Sequence, residues 1–487
     1  MNAGRHPDPP SGRPSLLRPG ATWALLGLIL LASVILRAQN LSSPFYYDES
    51  VYVNLAQHPF KSDFYPDRIF FRHPPLHYLL LAGIGRLTGY SEAWMRLPSI
   101  LFAAASIALA FGLGARLRSR RVGLASAALL AFNVLHQQYS QAATMYSLLT
   151  FMMTLCAYGF VVGRERFVAA GFIGAIYTHY FGFYLAPAVL VFYVKAYDGA
   201  WKPILGRVLL YGLAYLPWIA VALQGLAFHA GRTGGLRHWS FHSINLARQV
   251  SGTVALGILA SLLRFRRGDG GRGGFEAGRA AAWDGRDLLR LVAGLFLVTG
   301  LFLIPFHRYL VPFLPVLIAL GVVGLTDIWE MWTGHRRGRM ARTLVLPAAL
   351  LGLLAPNPQA YGIFPQLGRF LDLRDAIHVQ EWREVVEAIP GGSVATPNAR
   401  SLLFYSNLQG LRSYDVHQFD EDPEEFRELL DGADVEWIVL PEIPLYERHL
   451  AAAEAHGGYE RHLELDHTTI YRRRGGVGVG RSLHLSQ

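Results

Sequence analysis

The sequence predicts an α-helical polytopic membrane protein with about eleven spans and a small C-terminal α/β domain outside the bilayer. Three observations carry that expectation. Of 487 residues, 52% are hydrophobic and 16% charged, where a soluble globular protein carries about 25% charged residues. Apolar runs of spanning length recur between residues 22 and 354. Basic clusters alternate with polar, tyrosine-rich loops between those runs, as the positive-inside rule requires of a chain that crosses repeatedly. Net charge is +10, but the basic residues fall in short clusters beside apolar runs. That pattern orients helices and is not a nucleic-acid footprint. Cys156 is the single cysteine, which excludes an intramolecular disulfide and a thiolate zinc site.

Residues 1–20 are rich in Pro, Gly and Arg and are expected to form a disordered cytoplasmic N-terminus. The run 22–38 could serve as a signal-peptide core. No small-residue cleavage site follows it and many apolar runs do, so it reads as an uncleaved first span. An outer loop, 39–96, comes next. Within it 77–87 is apolar but short and bounded by charge, which suits a helix lying in the interface. Further spans are expected at 97–117, 122–135, 145–163, 167–177, 182–197, 204–223, 244–263, 288–304, 309–329 and 343–354. With the N-terminus inside, the basic clusters at 116–121, 164–166, 195–202, 264–290 and 336–342 all fall inside. The outer loop and the polar segments 136–141, 178–180, 224–242 and 307–308 then share the outer face. The transmembrane domain is thus 21–355.

From 356 to 487 the pattern changes to helices alternating with strands, the mark of an α/β unit. Helices are expected at 382–389 and 422–430, the latter with Asp422 as cap and Pro423 at the first helical position. Strands are expected at 392–396, 435–440 and 468–471. No internal repeat and no nucleotide-binding glycine motif occurs in the chain.

The chemistry concentrates in the stretch 44–75. It carries adjacent carboxylates, Asp48 and Glu49, beside Tyr46, Tyr47 and Tyr52, and then Arg72 and His73. Ionisable groups this close to a bilayer are costly unless solvated or paired, so the stretch reads as a functional site. Helix capping competes with that reading, since Asp48 precedes Ser-Val-Tyr-Val-Asn-Leu and would make a good N-cap. Arg72 and His73 could equally anchor the interfacial segment to headgroups.

Six motifs in order resemble the bacterial GT-C glycosyltransferases. They are Tyr47-Asp48-Glu49, His73-Pro-Pro-Leu76, Arg96-Leu-Pro-Ser99, Tyr139-Ser-Gln141 with Met145-Tyr-Ser147, Thr178-His-Tyr180, and Arg308-Tyr-Leu310. The chain is similar in these to dolichyl-phosphate-mannose protein mannosyltransferases and to the lipid A aminoarabinose transferase. The resemblance covers roughly 22–329; the C-terminal domain carries no matching motif. It implies a hexosyl or pentosyl transferase that uses a polyprenyl-phosphate-linked donor, which fits the lack of a nucleotide motif. The acceptor would be a lipid, glycan or protein hydroxyl at the outer face of a bacterial inner membrane. Membrane lipids are the other partners, and nucleic acid is not one.

The resemblance implies Asp48 as general base, with Glu49 orienting it or binding acceptor or metal. A phosphate leaving group needs no proton donor, so one carboxylate with cations suffices, and inversion is expected. Cations at the headgroup level must meet the donor phosphate. Arg308 is the first candidate, helped by Arg72 and His73, because the guanidinium fork holds two phosphate oxygens. Snorkelling to lipid headgroups is the plainer role for both arginines. Tyr47, Gln141, Tyr146, His179, Tyr180 and His307 are candidate substrate contacts, against a plainer role as the polar, aromatic ends of spans. No cofactor is specified. A divalent metal held by His73, His179 or His307 with Glu49 is compatible with the residues, but no spacing specifies it. Two rival functions remain at this level: a transporter or flippase for a lipid-linked glycan, and a non-catalytic membrane scaffold. Mid-helix charges and internal repeats would favour a transporter, and the sequence has neither.

Overall fold

The computed structural model describes residues 19–39, 41–45, 47–57, 73–229, 252–263, 285–300, 307–333, 382–396, 402, 412–415, 423–432, 434–442, 446–465 and 468–474. The chain begins with α1 (Pro19–Ala38), an apolar helix with no acidic residue in its first turn. Then come α2 (Tyr47–Gln57), α3 (Leu76–Thr88), α4 (Glu92–Leu117), α5 (Arg120–Ala131), α6 (Val134–Ser140), α7 (Tyr146–Val162) and α8 (Glu165–Thr178). A 3-10 turn (Tyr180–Leu185) leads into α9 (Ala186–Ala196), followed by α10 (Trp201–His229), α11 (Gly252–Leu263) and α12 (Gly285–Leu295). A π-turn (Phe296–Gly300) extends α12, and a second 3-10 turn (His307–Phe313) opens α13 (Leu314–Thr333).

Among the described residues, four helical stretches are long and apolar enough to cross a membrane: Pro19–Ala38, Glu92–Leu117, Trp201–Leu223 and Arg308–Trp329. The shorter Tyr146–Val162 and Tyr180–Ala196 are also apolar. The first and third of the long ones are mostly exposed, presenting Leu28, Leu31, Leu209, Leu213 and Leu216 outward. That is the arrangement expected of helices whose neighbours are lipid chains. α11 and α13 instead pack backbone to backbone: a side chain at Gly257 or Gly324 would run into the other helix. The expected span 343–354 and the N-terminal 1–18 lie outside the described residues.

Two expected boundaries change, one of them where α10 runs on to His229, into the expected outer loop 224–242. The run 122–135 does not stay a single span. Phe132 ends α5, and Asn133 starts a new helix by accepting the His136 N–H on its side chain at 2.9 Å. The polar segment 136–141, expected as an outer loop, is thereby mostly the buried helix α6. Polar side chains are tolerated there because His136, Ser140 and Gln141 find partners inside the protein.

The C-terminal residues form a five-stranded sheet of β1 (Ser393–Thr396), β2 (Arg412–Asp415), β3 (Trp437–Pro441), β4 (Tyr459–Glu464) and β5 (Thr468–Arg473). Its order is β2-β1-β3-β5-β4. β1 is parallel to β2 and β3, and β5 is antiparallel to β3 and β4. Among the described residues three helices accompany it: α14 (Trp382–Ala388), α15 (Pro423–Gly432) and α16 (Glu447–Ala455). Along β3, Ile438 and Leu440 join Phe426 and Leu430 of α15 and Ala452 of α16. Trp437 and Val439 point the other way, to Trp382 and Val385 of α14. Both faces are covered, which is why this strand reads as a continuous apolar run. β2, β4 and α16 were not expected: their short or charged sequences carry no strand or helix period.

Candidate active site

α2 places Asp48 and Glu49 together in its first turn, where the helix dipole favours negative charge. Consecutive helical residues point about 100° apart, so the two carboxylates meet different neighbours.

Glu49 is sealed. Arg96 of α4 grips it with both fork positions, Nε to Oε1 and Nη2 to Oε2, each at 2.8 Å, with both side chains 0% exposed. Oε1 also accepts the Ala143 backbone N–H at 2.7 Å. Arg96 spends its other donors on the chain leading into α2: the carbonyls of Leu41 at 3.1 Å, Pro44 at 2.9 Å and Ser43. One pair thus ties the segment 41–44, α2, α4 and the loop after α6. Sequence reasoning placed Arg96 in a motif but did not pair it with Glu49; the partners are separated by 47 positions.

Asp48 is open. Its Oδ2 meets Arg308 Nη1 at 2.5 Å, across 260 positions of sequence, and the two side chains keep 26% and 25% exposure. Neither is an N-cap or a surface anchor in this arrangement. Around them stands a set of rings. The Arg308 guanidinium lies 5.7 Å from the Tyr309 ring centroid. Tyr309 is 6.1 Å from Tyr146, 5.7 Å from His179 and 4.9 Å from Phe181. His73 stacks on His179 at 5.2 Å and lies 6.2 Å from Tyr52. The Tyr52 hydroxyl donates to Met145 Sδ at 3.4 Å. Burial pushes its pKa well above the ordinary value, and the Asp48 charge adds to that, so it stays a neutral phenol.

His179 is oriented by the backbone. Its Nδ1 accepts the Phe181 N–H at 3.0 Å, which leaves the proton on Nε2. Tyr180 lies 6.3 Å from it, ring to ring. Gln141 is 2% exposed and donates through Nε2 to the Leu36 carbonyl at 2.9 Å, a tie between α6 and α1. His77 is nearly buried, with Nε2 3.2 Å from the Ala143 carbonyl; burial lowers its pKa to about 4. Arg72 and the side chains of Tyr47 and His307 lie outside the described residues. Among the described residues no three His, Cys, Asp or Glu side chains gather to hold a metal ion.

The model of the dolichyl-phosphate-mannose-protein mannosyltransferase family matches residues 72–226. That segment contains His73, Arg96, Gln141, Tyr146, His179 and Tyr180, and stops short of Asp48 and Arg308 on either side. No curated protein matches the chain in sequence. Among solved structures, ArnT from Cupriavidus metallidurans in the apo state superposes with a TM-score of 0.59 at 15% identity, covering 93% of this chain and 98% of that one. The same protein bound to undecaprenyl phosphate gives 0.59 at 16% identity over the same shares. The oligosaccharyltransferase of Archaeoglobus fulgidus, in complex with Zn and sulfate, gives 0.52 at 13% identity, covering 92% of this chain and 73% of that one. In its matched segment and in its fold, this chain is similar to the GT-C glycosyltransferases.

Proposed function

We propose that the protein transfers a sugar from a polyprenyl-phosphate-linked donor to an acceptor hydroxyl at the outer face of a bacterial inner membrane. The observation that carries this reading is the partly exposed Asp48–Arg308 pair, with the Tyr309, Tyr146 and His179 rings beside it. A displacement at the anomeric carbon of a sugar phosphate needs a base for the incoming hydroxyl and a cation for the outgoing phosphate. The two side chains of that pair are of those kinds. In the step, the acceptor oxygen bonds to the anomeric carbon from the face opposite the phosphate. The bond to the phosphate oxygen breaks, and its electron pair leaves with the polyprenyl phosphate. The acceptor proton passes to Asp48. One displacement inverts the anomeric configuration.

Arg308 meets the phosphate as it gains charge, with Arg72 and His73 as helpers, and Tyr309 backs the guanidinium. Tyr47, Tyr146, His179, Tyr180 and His307 line the sugar and acceptor space in this reading. Glu49 and Gln141 act from behind: both are buried and held, and they position the elements that carry Asp48 and Tyr146. ArnT has been crystallised with undecaprenyl phosphate, a donor-side lipid of the proposed kind. A lipid, a glycan or a protein would supply the acceptor hydroxyl.

The topology that goes with this function has eleven spans, the N-terminus inside, and 356–487 outside. Reporter fusions after Arg121, after Arg237 and at Gln487 should read inside, outside and outside; an inside signal at Gln487 would overturn the odd count. The function itself is tested by transfer assays on Asp48→Asn in reconstituted membranes. Near-wild-type turnover in that variant would leave a scaffold or a transporter as the better reading.

A further inference from the structure

Arg37 is a buried cation to which the reaction above assigns no task. It closes α1, is 1% exposed, and spends its whole fork. Nε donates to Ser140 Oγ at 2.6 Å; Nη1 donates to Ser33 Oγ at 2.6 Å and to the carbonyls of Ser33 and Ala131, each at 3.1 Å. Nη2 meets His136 Nδ1 at 2.8 Å. A guanidinium has no acceptor atom, so His136 Nδ1 must accept and the imidazole is neutral. Burial, with the Arg37 charge beside it, holds the His136 pKa well below its ordinary value.

Every one of these partners is uncharged, and no carboxylate among the described residues meets Arg37. Among the described residues, Arg96 has Glu49 and Arg308 has Asp48, whereas the fork of Arg37 meets only uncharged groups. A buried charge without a counter-ion is expensive, and in a membrane protein it marks function more often than packing. The ends of α1 and α5, which present Ser33 and Ala131, offset part of the cost through their dipoles but bring no full charge.

A series of rings links the network to the site. Ser140 and His136 belong to α6; Tyr139 between them sits edge-on to Tyr146 at 5.1 Å, and Tyr146 reaches Tyr309 beside Arg308. We infer that Arg37 is a positioning residue for the donor's anion. Without touching it, this guanidinium, which meets no carboxylate among the described residues, stabilises a phosphate held at Arg308. This rests on the donor reading given above. Through a medium of effective permittivity about 20, a unit charge that does not touch the anion changes its affinity by up to roughly tenfold.

The test compares binding of undecaprenyl phosphate with that of the neutral alcohol undecaprenol, using the full chain in lipid nanodiscs. Arg37→Gln is expected to weaken the phosphate about tenfold and leave the alcohol unchanged, while Arg37→Lys keeps most of the phosphate affinity. Ser33→Asp supplies the missing carboxylate next to Arg37 and leaves the fork in place. It should weaken the phosphate similarly in a protein at least as stable as the wild type, which keeps the test decisive if Arg37→Gln does not fold. An unchanged phosphate-to-alcohol ratio in Ser33→Asp would overturn the inference. So would equal loss of both lipids in Arg37→Gln, which would make Arg37 a staple of α1, α5 and α6 only. If the wild type shows no preference for the phosphate, or Arg308→Ala does not weaken it, the donor reading itself falls.

Discussion

Asp48 and Glu49 are neighbours in one helical turn, and each meets an arginine from a distant helix. The Glu49–Arg96 pair is 0% exposed on both sides, whereas Asp48 and Arg308 keep 26% and 25% of their side chains in reach of solvent. The sealed pair adds an Ala143 amide and three carbonyls to its own two bonds, so the carboxylate has no room for a substrate proton. The open pair meets through Arg308 Nη1 and Asp48 Oδ2, with the Tyr309 ring beside the guanidinium. The same two residue types thus serve as a fastener in one place and as movable charges in the other, and burial makes the difference. A pair taken wholly out of water holds only if every lone pair is used. A pair left at the edge can exchange partners with a ligand.

The comparison can be broken at the open pair first. Asp48→Asn keeps the shape and the helix but cannot take a proton. Transfer should fall by about 10²–10⁴-fold with normal insertion and melting temperature, measured by radiolabelled sugar transfer from a polyprenyl-phosphate donor. Arg308→Ala should weaken donor binding by roughly 10–100-fold, the worth of a hydrogen bond to a charged group. Arg308→Lys, with charge but no fork, should fall between that variant and the wild type; isothermal titration with undecaprenyl phosphate would rank the three.

At the sealed pair the loss should appear in stability instead. Glu49→Ala strands a buried guanidinium and should cost about 3–5 kcal/mol, read by thermal or denaturant unfolding in detergent. Replacing both partners, Glu49→Met with Arg96→Met, should recover much of that loss. A double variant no more stable than Glu49→Ala would mean that Arg96 is held by its carbonyl bonds and not by Glu49. Glu49→Gln should reduce transfer less than Asp48→Asn does.

A smaller effect sharpens the same contrast by pH. His77 faces the Ala143 carbonyl on one side and the Tyr52 ring, 5.3 Å away, on the other. Its pKa in the folded protein is about 4, below the ordinary value of about 6.5. The unfolded chain therefore takes up a proton first. The stability that this neutral imidazole contributes is present above pH 6.5 and is lost as pH falls towards 4, at up to about 1.4 kcal/mol per unit. His77→Asn should flatten the stability profile over that window; an unchanged slope would assign it to other groups.

Length, composition and the order of charges by themselves determined the class of this protein: apolar runs of spanning length, basic clusters between them, and tyrosine-rich segments with Asp48, Arg96, Tyr146, His179 and Arg308 in series. These are readable because hydropathy and local charge act over one helix at a time. The alternation of helix and strand after residue 382 was legible for the same reason, strongly for the apolar run of β3 and not at all for the charged β4. What only the tertiary structure decided is which charges meet. Glu49 and Arg96 are 47 positions apart, Arg37 and His136 are 99, and Asp48 and Arg308 are 260. The motif resemblance that singles out Asp48 does not say which arginine either carboxylate meets, and nothing in a linear pattern marks Arg37 at the end of an ordinary apolar run. Packing does, because the cost of a charge depends on the dielectric and the partners around it, and these exist only once α1, α4, α6 and the start of α13 have come together.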